Sequence, residues 1–340
     1  MRTTAVILKR RPNGRPDLQD FALETRTLAE PDPGQVLVRT LSLSVDPYMR
    51  ARMNPGGSYM PAYELDAPMS GHFVGEVVSS LDPRVPIGSV VAAVGDWQEY
   101  VVLSGGQVEL LPDREPSPDI YLGPLGMVGH TAYVGLLDIG RPVAGETVVV
   151  SAAAGAVGSL VGQIAKLKGC RAVGIAGGPE KCRYVVDVLG FDACVDYRAT
   201  DFPDTLQAAC PNGIDIDFEN VGGDILGAVW PLLNNNARIA VCGLIADYNQ
   251  EAPSPAPPLV DLLTKRVTMH GFLIMDHADR LADFRRDMRR WLETGALSLR
   301  SHVVRGLERA PEALIGLFSG DNLGKSIVQV ADRREAPAQP

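Results

Sequence analysis

Two textures of apolar and polar positions succeed one another along the chain. Through about residue 120 the apolar positions come in short runs broken by Gly and Pro, without helical spacing. Residues 4–8, 35–43, 73–78, 89–93 and 99–102 carry these runs and are predicted as strands of a compact β domain. Residues 54–69, rich in Gly, Tyr, Pro and Met, are predicted as an irregular surface loop near a site. From Gly123 onward, strand and helix patterns alternate. Val148 to Val150 are a β-branched run suited to a strand buried on both faces. Val157, Leu160, Val161, Ile164 and Leu167 then recur at helical spacing, and a second strand follows from Cys170.

Further strands are expected at 193–196, 214–218, 237–242 and 267–272, with helices between them such as 225–233. Six strands with intervening helices make a doubly wound α/β sheet. A long closing helix is predicted over 279–294, with Leu281, Phe284, Met288, Trp291 and Leu292 on one face. The Pro-rich residues 252–258 form a loop within this unit. Beyond Gly295 come a strand, a helix over 310–319 and a strand over 325–330, and the tail 332–340 is expected to fray. The expected domains are therefore 1–123, 124–295 and a C-terminal return over 296–340.

The junction between the first strand of the second unit and its helix carries chemistry. It reads A-x-G-x-x-G from Ala153: a small residue for the tight turn, Gly155 where backbone meets a pyrophosphate, and Gly158 for close helix–strand packing. The helix N-terminus offers N–H groups and a positive dipole end to that diphosphate. A site for NAD places Asp or Glu about 20 residues further on, to accept from the ribose 2′-OH. Here Gly177 and Gly178 occupy that stretch and Lys181 follows. A 2′-phosphate is repelled by a carboxylate and held by an ammonium group, so the cofactor expected is NADP(H). Lys181 has a second reading as a solvated helix residue beside Glu180.

Composition narrows the classes. At 340 residues the chain accommodates two domains with cores, and 46% hydrophobic with 21% charged residues is ordinary for a globular protein. A net charge of −9 argues against a nucleic-acid partner. No apolar run reaches the roughly 18 residues of a membrane helix, and the N-terminus lacks a signal-peptide pattern, so the expected location is the cytoplasm. All five cysteines (Cys170, Cys182, Cys194, Cys210 and Cys242) lie after residue 169 with no C-x-x-C pair, which fits reduced thiols rather than a disulfide framework.

Several stretches together carry a family resemblance. They are Ser44-Val45-Asp46-Pro47-Tyr48-Met49-Arg50, Gly129-His130-Thr131-Ala132-Tyr133, the turn from Ser151 to Gly158, Asp217-Phe218-Glu219-Asn220-Val221-Gly222-Gly223, residues 242–249, and Gly320-Asp321-Asn322-Leu323-Gly324-Lys325. In this order, over essentially the whole chain, they resemble the zinc-independent NADP-dependent alkenal double-bond reductases of the medium-chain dehydrogenase/reductase superfamily. The resemblance implies a Rossmann cofactor domain, a β-rich GroES-like domain and a homodimer. It implies diphosphate contacts from Ala154, Gly155, Ala156 and Val157 beside Gly158, and a 2′-phosphate site at Lys181 and Tyr197. It places Asn220, Cys242, Gly243, the backbone of Phe272, Leu273 and Ile274, and Asn322 around the ribose and nicotinamide. Two departures concern the phosphate pocket: Lys181 and Tyr197 stand one residue further apart than is typical, and Asp196 precedes Tyr197 where an amide is often found.

No metal is expected. Gly71-His72-Phe73-Val74-Gly75-Glu76 is reminiscent of a zinc-type histidine segment, but Ser44-Val45-Asp46 stands where a first thiolate belongs and no Cys precedes Cys170. His72 is taken as a structural histidine. Without a Lewis acid, a conjugated C=C–C=O group is the easier hydride acceptor, because charge moves to the carbonyl oxygen as an enolate. A neutral tyrosine suits the donor at that oxygen. Tyr248, after a strand end, is the first candidate, with a simple ribose contact as its alternative role. Tyr48 is the second, with a structural anchor as its alternative. The leading function is an NADPH-dependent enone or enal reductase. The alternatives are an NADPH:quinone oxidoreductase and a nucleotide-binding protein with little catalysis.

Overall fold

The structure, a computed structural model, describes residues 1–112 and 117–333. The chain begins with strands β1 (Arg2–Leu8), β2 (Phe21–Thr27) and β3 (Gln35–Ser44), a short helix α1 (Tyr48–Arg52), and strands β4 (Ser70–Ser80), β5 (Val90–Asp96), β6 (Tyr100–Ser104) and β7 (Val108–Leu110). Alternation then sets in: α2 (Met127–Val134), β8 (Thr147–Val150), α3 (Ala156–Leu167), β9 (Arg171–Ala176), α4 (Pro179–Arg183), β10 (Ala193–Asp196), α5 (Phe202–Ala209), β11 (Ile214–Glu219), α6 (Gly223–Val229), β12 (Leu233–Val241), α7 (Val260–Thr264), β13 (Thr268–Gly271) and α8 (Leu281–Glu293). The return is β14 (Ser301–Arg305), α9 (Ala310–Leu317) and β15 (Lys325–Gln329).

Two compact units result. Met1–Leu122 with His302–Asp321 and the residues from Ser326 form a β-rich unit; Gly123–Ser301 with Asn322–Lys325 form the second. In the β-rich unit, the described strands make an antiparallel β1–β2 pair and a larger sheet ordered β14-β15-β3-β4-β5-β7, with β6 also on β3. Its core gathers Val36, Val38, Met49, Met53, Met69, Phe73 and Trp97. In the second unit the described strands form one sheet ordered β10-β9-β8-β11-β12-β13, and every pairing is parallel. That order is the doubly wound dinucleotide-binding arrangement, with the topological reversal between β8 and β11. All four residues of β8 are buried, as a central parallel strand requires.

Several sequence expectations need correcting. The edge strands β2 and β7 were not predicted: β2 is mostly exposed and lacks apolar alternation, and β7 is only three residues long. The helix α1 is too short for a 3.6-residue period to register. The closing helix starts at Leu281, after a 3-10 segment over Ile274–Arg280, and Leu281 itself is exposed; Phe284, Met288 and Trp291 make the buried face. Leu233, placed in a helix by its pattern, opens β12, and the helix expected to reach residue 319 ends at Leu317. Residues 54–69 are irregular but not wholly superficial. Tyr63 and Met69 are buried, and Arg11 donates to the carbonyls of Met53 and Tyr63. Of the tail 332–340, residues 334–340 lie outside the described residues.

The second core contains one costly feature. Asp217 on β11 is fully buried between strands, registered against Val149 and Ile239, and neither carboxyl oxygen has a hydrogen-bond partner among the described residues. Desolvation, then the neighbouring Glu219, push its pKa well above the carboxylate range. The unfolded chain ionises this group near pH 4, so its contribution to stability is full below that pH and is lost as pH rises towards the folded pKa. Glu146 and Asp192, lowered by hydrogen bonds from Arg238 and Lys166 despite desolvation, act in the opposite sense. The parent-minus-variant difference isolates Asp217. Asp217→Asn should stabilise the protein by roughly 1–3 kcal/mol at pH 8 and by nearly nothing at pH 4. Denaturant unfolding at both pH values measures this, and an equal effect at the two would refute it.

Candidate functional site

The site is built outward from the turn between β8 and α3. Ala152 takes a left-handed conformation (φ 50°), Ala153 N–H donates to Ile175 O at 3.0 Å, and Gly155 N–H returns to Ala152 O at 2.9 Å. A Cβ on Gly158 would lie 2.4 Å from Ala152 O and 3.0 Å from Ala153 Cα, so glycine alone permits this approach of helix to turn. Gly155 differs. Its φ of −85° is open to any residue, and a Cβ there would meet only Ala152 O, at 3.1 Å. Packing within the fold therefore does not demand this glycine; it leaves bare backbone at the mouth of α3. Among the described residues no side chain caps α3, and the first N–H groups of a helix lack intrahelical partners. Ala156, Val157 and Gly158 open the twelve-residue helix whose dipole adds to these donors. This cradle fits a diphosphate.

The segment carrying Asn322 docks against that turn although it is distant in sequence. Gly324 N–H donates to Ala154 O at 2.8 Å, and Asn322 Nδ2 donates to Gly324 O at 2.9 Å. Gly324 has φ +79°, and a Cβ there would fall 1.8 Å from Arg300 O. Ala154 therefore spends its carbonyl on the fold and would offer an anion only its N–H side.

Beyond β9 lies the corner expected to hold a phosphate. A Cβ on Gly177 would stand 2.9 Å from the Tyr197 ring, 3.1 Å from its hydroxyl and 3.0 Å from Arg198 Nε, so both side chains lie over this glycine. The Arg198 guanidinium is 5.7 Å from the Tyr197 ring centroid. Asp196 Oδ1 accepts from the N–H groups of Gly178, at 2.7 Å, and Arg198, at 3.0 Å. The carboxylate that departs from the family pattern thus braces the loop after β10 against the start of α4, which carries Lys181. Sequence reasoning missed Arg198; its basic charge two residues past Asp196 was the available signal.

At the ends of β8, β11 and β12 a buried network sets the inner part of the edge. Glu219 Oε1 accepts from Ser151 Oγ at 2.6 Å and from the N–H groups of Val221 (2.6 Å) and Gly222 (3.0 Å). Asn220 N–H donates to Ser151 Oγ at 2.7 Å and its Nδ2 to Ser151 O at 2.8 Å. Cys242 and Gly243 donate their N–H groups to Glu219 O. Burial raises the Glu219 carboxyl above its ordinary value against these bonds, and raises the Cys242 thiol to about 12. Neither Ser151 nor Glu219 was singled out from sequence as a site residue. Tyr248 is half-buried, its hydroxyl beside Gly243, where a Cβ would be 3.2 Å away; burial raises its pKa, so the phenol is protonated at neutral pH. Phe272 turns its ring into the core, 6.4 Å from Phe218, while Leu273 and Ile274 are half-buried after β13. Ala154 to Gly158, Lys181, Tyr197, Asn220, Cys242, Gly243, Tyr248 and Phe272 to Ile274 thus all follow C-terminal strand ends of one parallel sheet, where such sheets bind ligands.

Tyr48 belongs to the β-rich unit, at the start of α1, packed against its core. Burial first, then Asp46, holds its hydroxyl well above the ordinary tyrosine pKa. Ser44 Oγ donates to the Asp46 carboxylate, and His72 stands opposite Val94 in the β4–β5 ladder. Among the described residues, no group of three His, Cys, Asp or Glu is arranged to hold a metal ion.

Residues 4–111 match the family described as the N-terminal domain of oxidoreductase, and residues 156–293 that described as zinc-binding dehydrogenase. The chain is 48% identical to the NADPH-dependent curcumin reductase of Escherichia coli, covering 96% of both chains. It is 40% identical to the NADP-dependent 2-alkenal reductase of Nicotiana tabacum, over 96% of this chain and 97% of the relative. The crystal structure of CurA in complex with NADPH from Vibrio vulnificus is similar at a TM-score of 0.93 and 46% identity, over 97% of this chain and 99% of that one. With such relatives matched from end to end, the chain belongs to the zinc-independent medium-chain dehydrogenases/reductases, in the branch of NADP-dependent alkenal double-bond reductases.

Proposed function

We infer that the protein is an NADPH-dependent reductase of the C=C bond of α,β-unsaturated ketones or aldehydes. The observation that supports this reading is the bare mouth of α3 at Gly155, on the same strand edge as Gly177, over which Tyr197 and Arg198 lie. The relatives named for NADPH-dependent curcumin reduction and 2-alkenal reduction supply the substrate class.

Bound NADPH supplies the hydride that a conjugated β-carbon accepts. The chain has three tasks around it. Ala154, Ala156 and Val157 would hold the diphosphate with N–H groups, Gly155, whose own N–H closes the turn on Ala152 O, would contribute the bare backbone between them, and Gly158 lets the helix approach. Lys181 and Tyr197, with Arg198 added, select the 2′-phosphate through charge-assisted hydrogen bonds. Asn220, Cys242, Gly243, the backbone of Phe272, Leu273 and Ile274, and Asn322 shape the ribose and nicotinamide end. Tyr248, a neutral phenol at a strand end, is the donor proposed for the negative charge that develops on the carbonyl oxygen, acting directly or through the ribose hydroxyl. Tyr48 is the second residue proposed for that donor role. In this reading the β-rich unit is the substrate domain, and the parallel-sheet unit, to which Asn322–Lys325 belong, is the cofactor domain.

The protein is further proposed to work as a cytoplasmic homodimer. Among the described strands β13 ends the sheet with all four residues exposed, leaving an edge that a second copy can pair with. No helix is long and apolar enough to cross a membrane among the described residues.

Three outcomes check the proposal. NADPH oxidation with enals and enones should yield saturated carbonyl products; allylic alcohols, or turnover with benzoquinones alone, would sink it. Tyr248→Phe should lower kcat/KM by about tenfold to a hundredfold without abolishing turnover, since orientation supplies much of the rate. Lys181→Ala should weaken NADPH by roughly tenfold to a hundredfold and leave NADH unchanged, as one charge-assisted bond is worth about 1.5–3 kcal/mol; equal losses for both cofactors would remove Lys181 from the phosphate site.

A further inference from the structure

Beside the phosphate corner lie two thiols to which neither the fold nor the proposed reaction gives a role. Cys182 is on α4, next to Lys181, and Cys194 is on β10, two residues before Asp196. Their sulfurs are 3.1 Å apart, with Cys194 donating its S–H to Cys182, and both residues are partly exposed. The other cysteines are differently placed: Cys170 and Cys210 are buried, and Cys170 donates to Val143 O. Ordinary contact between unbonded sulfurs is wider than 3.1 Å, and a disulfide needs about 2.05 Å, so roughly 1 Å of approach separates the pair from a covalent bond. The hydrogen bond from Cys194 also favours the thiolate of Cys182, the form that attacks oxidants.

We propose that Cys182 and Cys194 are a redox-responsive dithiol, and that its oxidation to a disulfide by hydroperoxides loosens the protein's hold on the 2′-phosphate of NADPH. The second half rests on the phosphate reading above. The Cys182 thiolate attacks the peroxide O–O bond, giving a sulfenic acid and releasing water or, from an organic hydroperoxide, the alcohol. The Cys194 sulfur then displaces the sulfenic oxygen, which leaves as water while the S–S bond forms. Two thiol protons and two electrons leave the protein, and the peroxide is reduced.

The coupling to the cofactor is geometric. Asp196 already braces α4 to the loop after β10 by accepting from Gly178 N–H at 2.7 Å. Drawing Cys182 towards β10 moves its neighbour Lys181 relative to Tyr197 and Arg198, which come from the β10 side of the same brace. The groups proposed for the 2′-phosphate are then displaced relative to one another. NADH has no such phosphate and should not sense the change.

The test treats the full-length protein with hydrogen peroxide, maps thiols and disulfides by mass spectrometry, and measures NADPH and NADH dissociation constants by fluorescence before and after. A Cys182–Cys194 disulfide, with NADPH weakened roughly threefold to tenfold, NADH unchanged and full reversal by dithiothreitol, is the expected result. Cys194→Ser, and separately Cys182→Ser, should abolish the response. Absence of the disulfide overturns the proposal, as does a disulfide that leaves NADPH affinity unchanged or weakens both cofactors alike. If the reduced protein itself binds NADPH no better than NADH, the phosphate reading fails and the coupling falls with it. The mass-spectrometric result then still decides the dithiol chemistry.

Discussion

The approach of α3 to the turn that precedes it constrains most of the second unit's binding edge. With Ala152 O only 2.4 Å from where a Cβ would stand on Gly158, the helix can start beside β8 only because that side chain is absent. The same closeness aims the uncapped N-terminus of α3 along the C-terminal edge of the sheet. Gly155 then has a different task from Gly158: one lets the chain pack against itself, the other leaves backbone accessible. The docking of Gly324 on Ala154 adds a third constraint, bringing Asn322 to the turn from the far end of the chain.

A polar network does for the inner end of the site what the glycine turn does for the outer end. Glu219 gathers Ser151, Val221 and Gly222, Asn220 ties back to Ser151, and Cys242 and Gly243 donate to Glu219 O, so three strand ends keep fixed separations. Such a network is favourable only when its members are satisfied. Glu219 meets that condition with one oxygen, whereas its neighbour Asp217 has no partner for either among the described residues. The sheet therefore carries a neutral or strained carboxyl two residues before a positioning carboxyl, on the strand that delivers Asn220.

The parts of this molecule legible in the sequence were those set by local spacing. The glycine turn, β8 and α3 depend on residues within one turn of each other, and the parallel strands announce themselves as apolar runs. Features set by tertiary surroundings were not legible. β2 lies at a sheet edge and loses its alternation, β7 is only three residues long, and α1 is shorter than two helical turns. Leu281 fits an apolar stripe in sequence yet is exposed, because the helix begins there rather than earlier. Lys181 and Tyr197 were nameable from charge and resemblance, but Arg198 gains its place from the bend that Asp196 braces, and the Cys182–Cys194 approach from the packing of α4 on β10. Tyr248 was found because it follows a strand end, the position where parallel sheets present ligands.

Delivery of hydride to the carbon β to a carbonyl, from the phosphorylated cofactor, is the claim on which the functional account stands. It is tested most directly with NADPH carrying deuterium at the reactive face of nicotinamide C4 and a simple enone as acceptor. Nuclear magnetic resonance of the product should place the label on the β-carbon, with the α-carbon taking its hydrogen from solvent and the carbonyl intact. Label on the former carbonyl carbon, in an alcohol that retains its double bond, would contradict it.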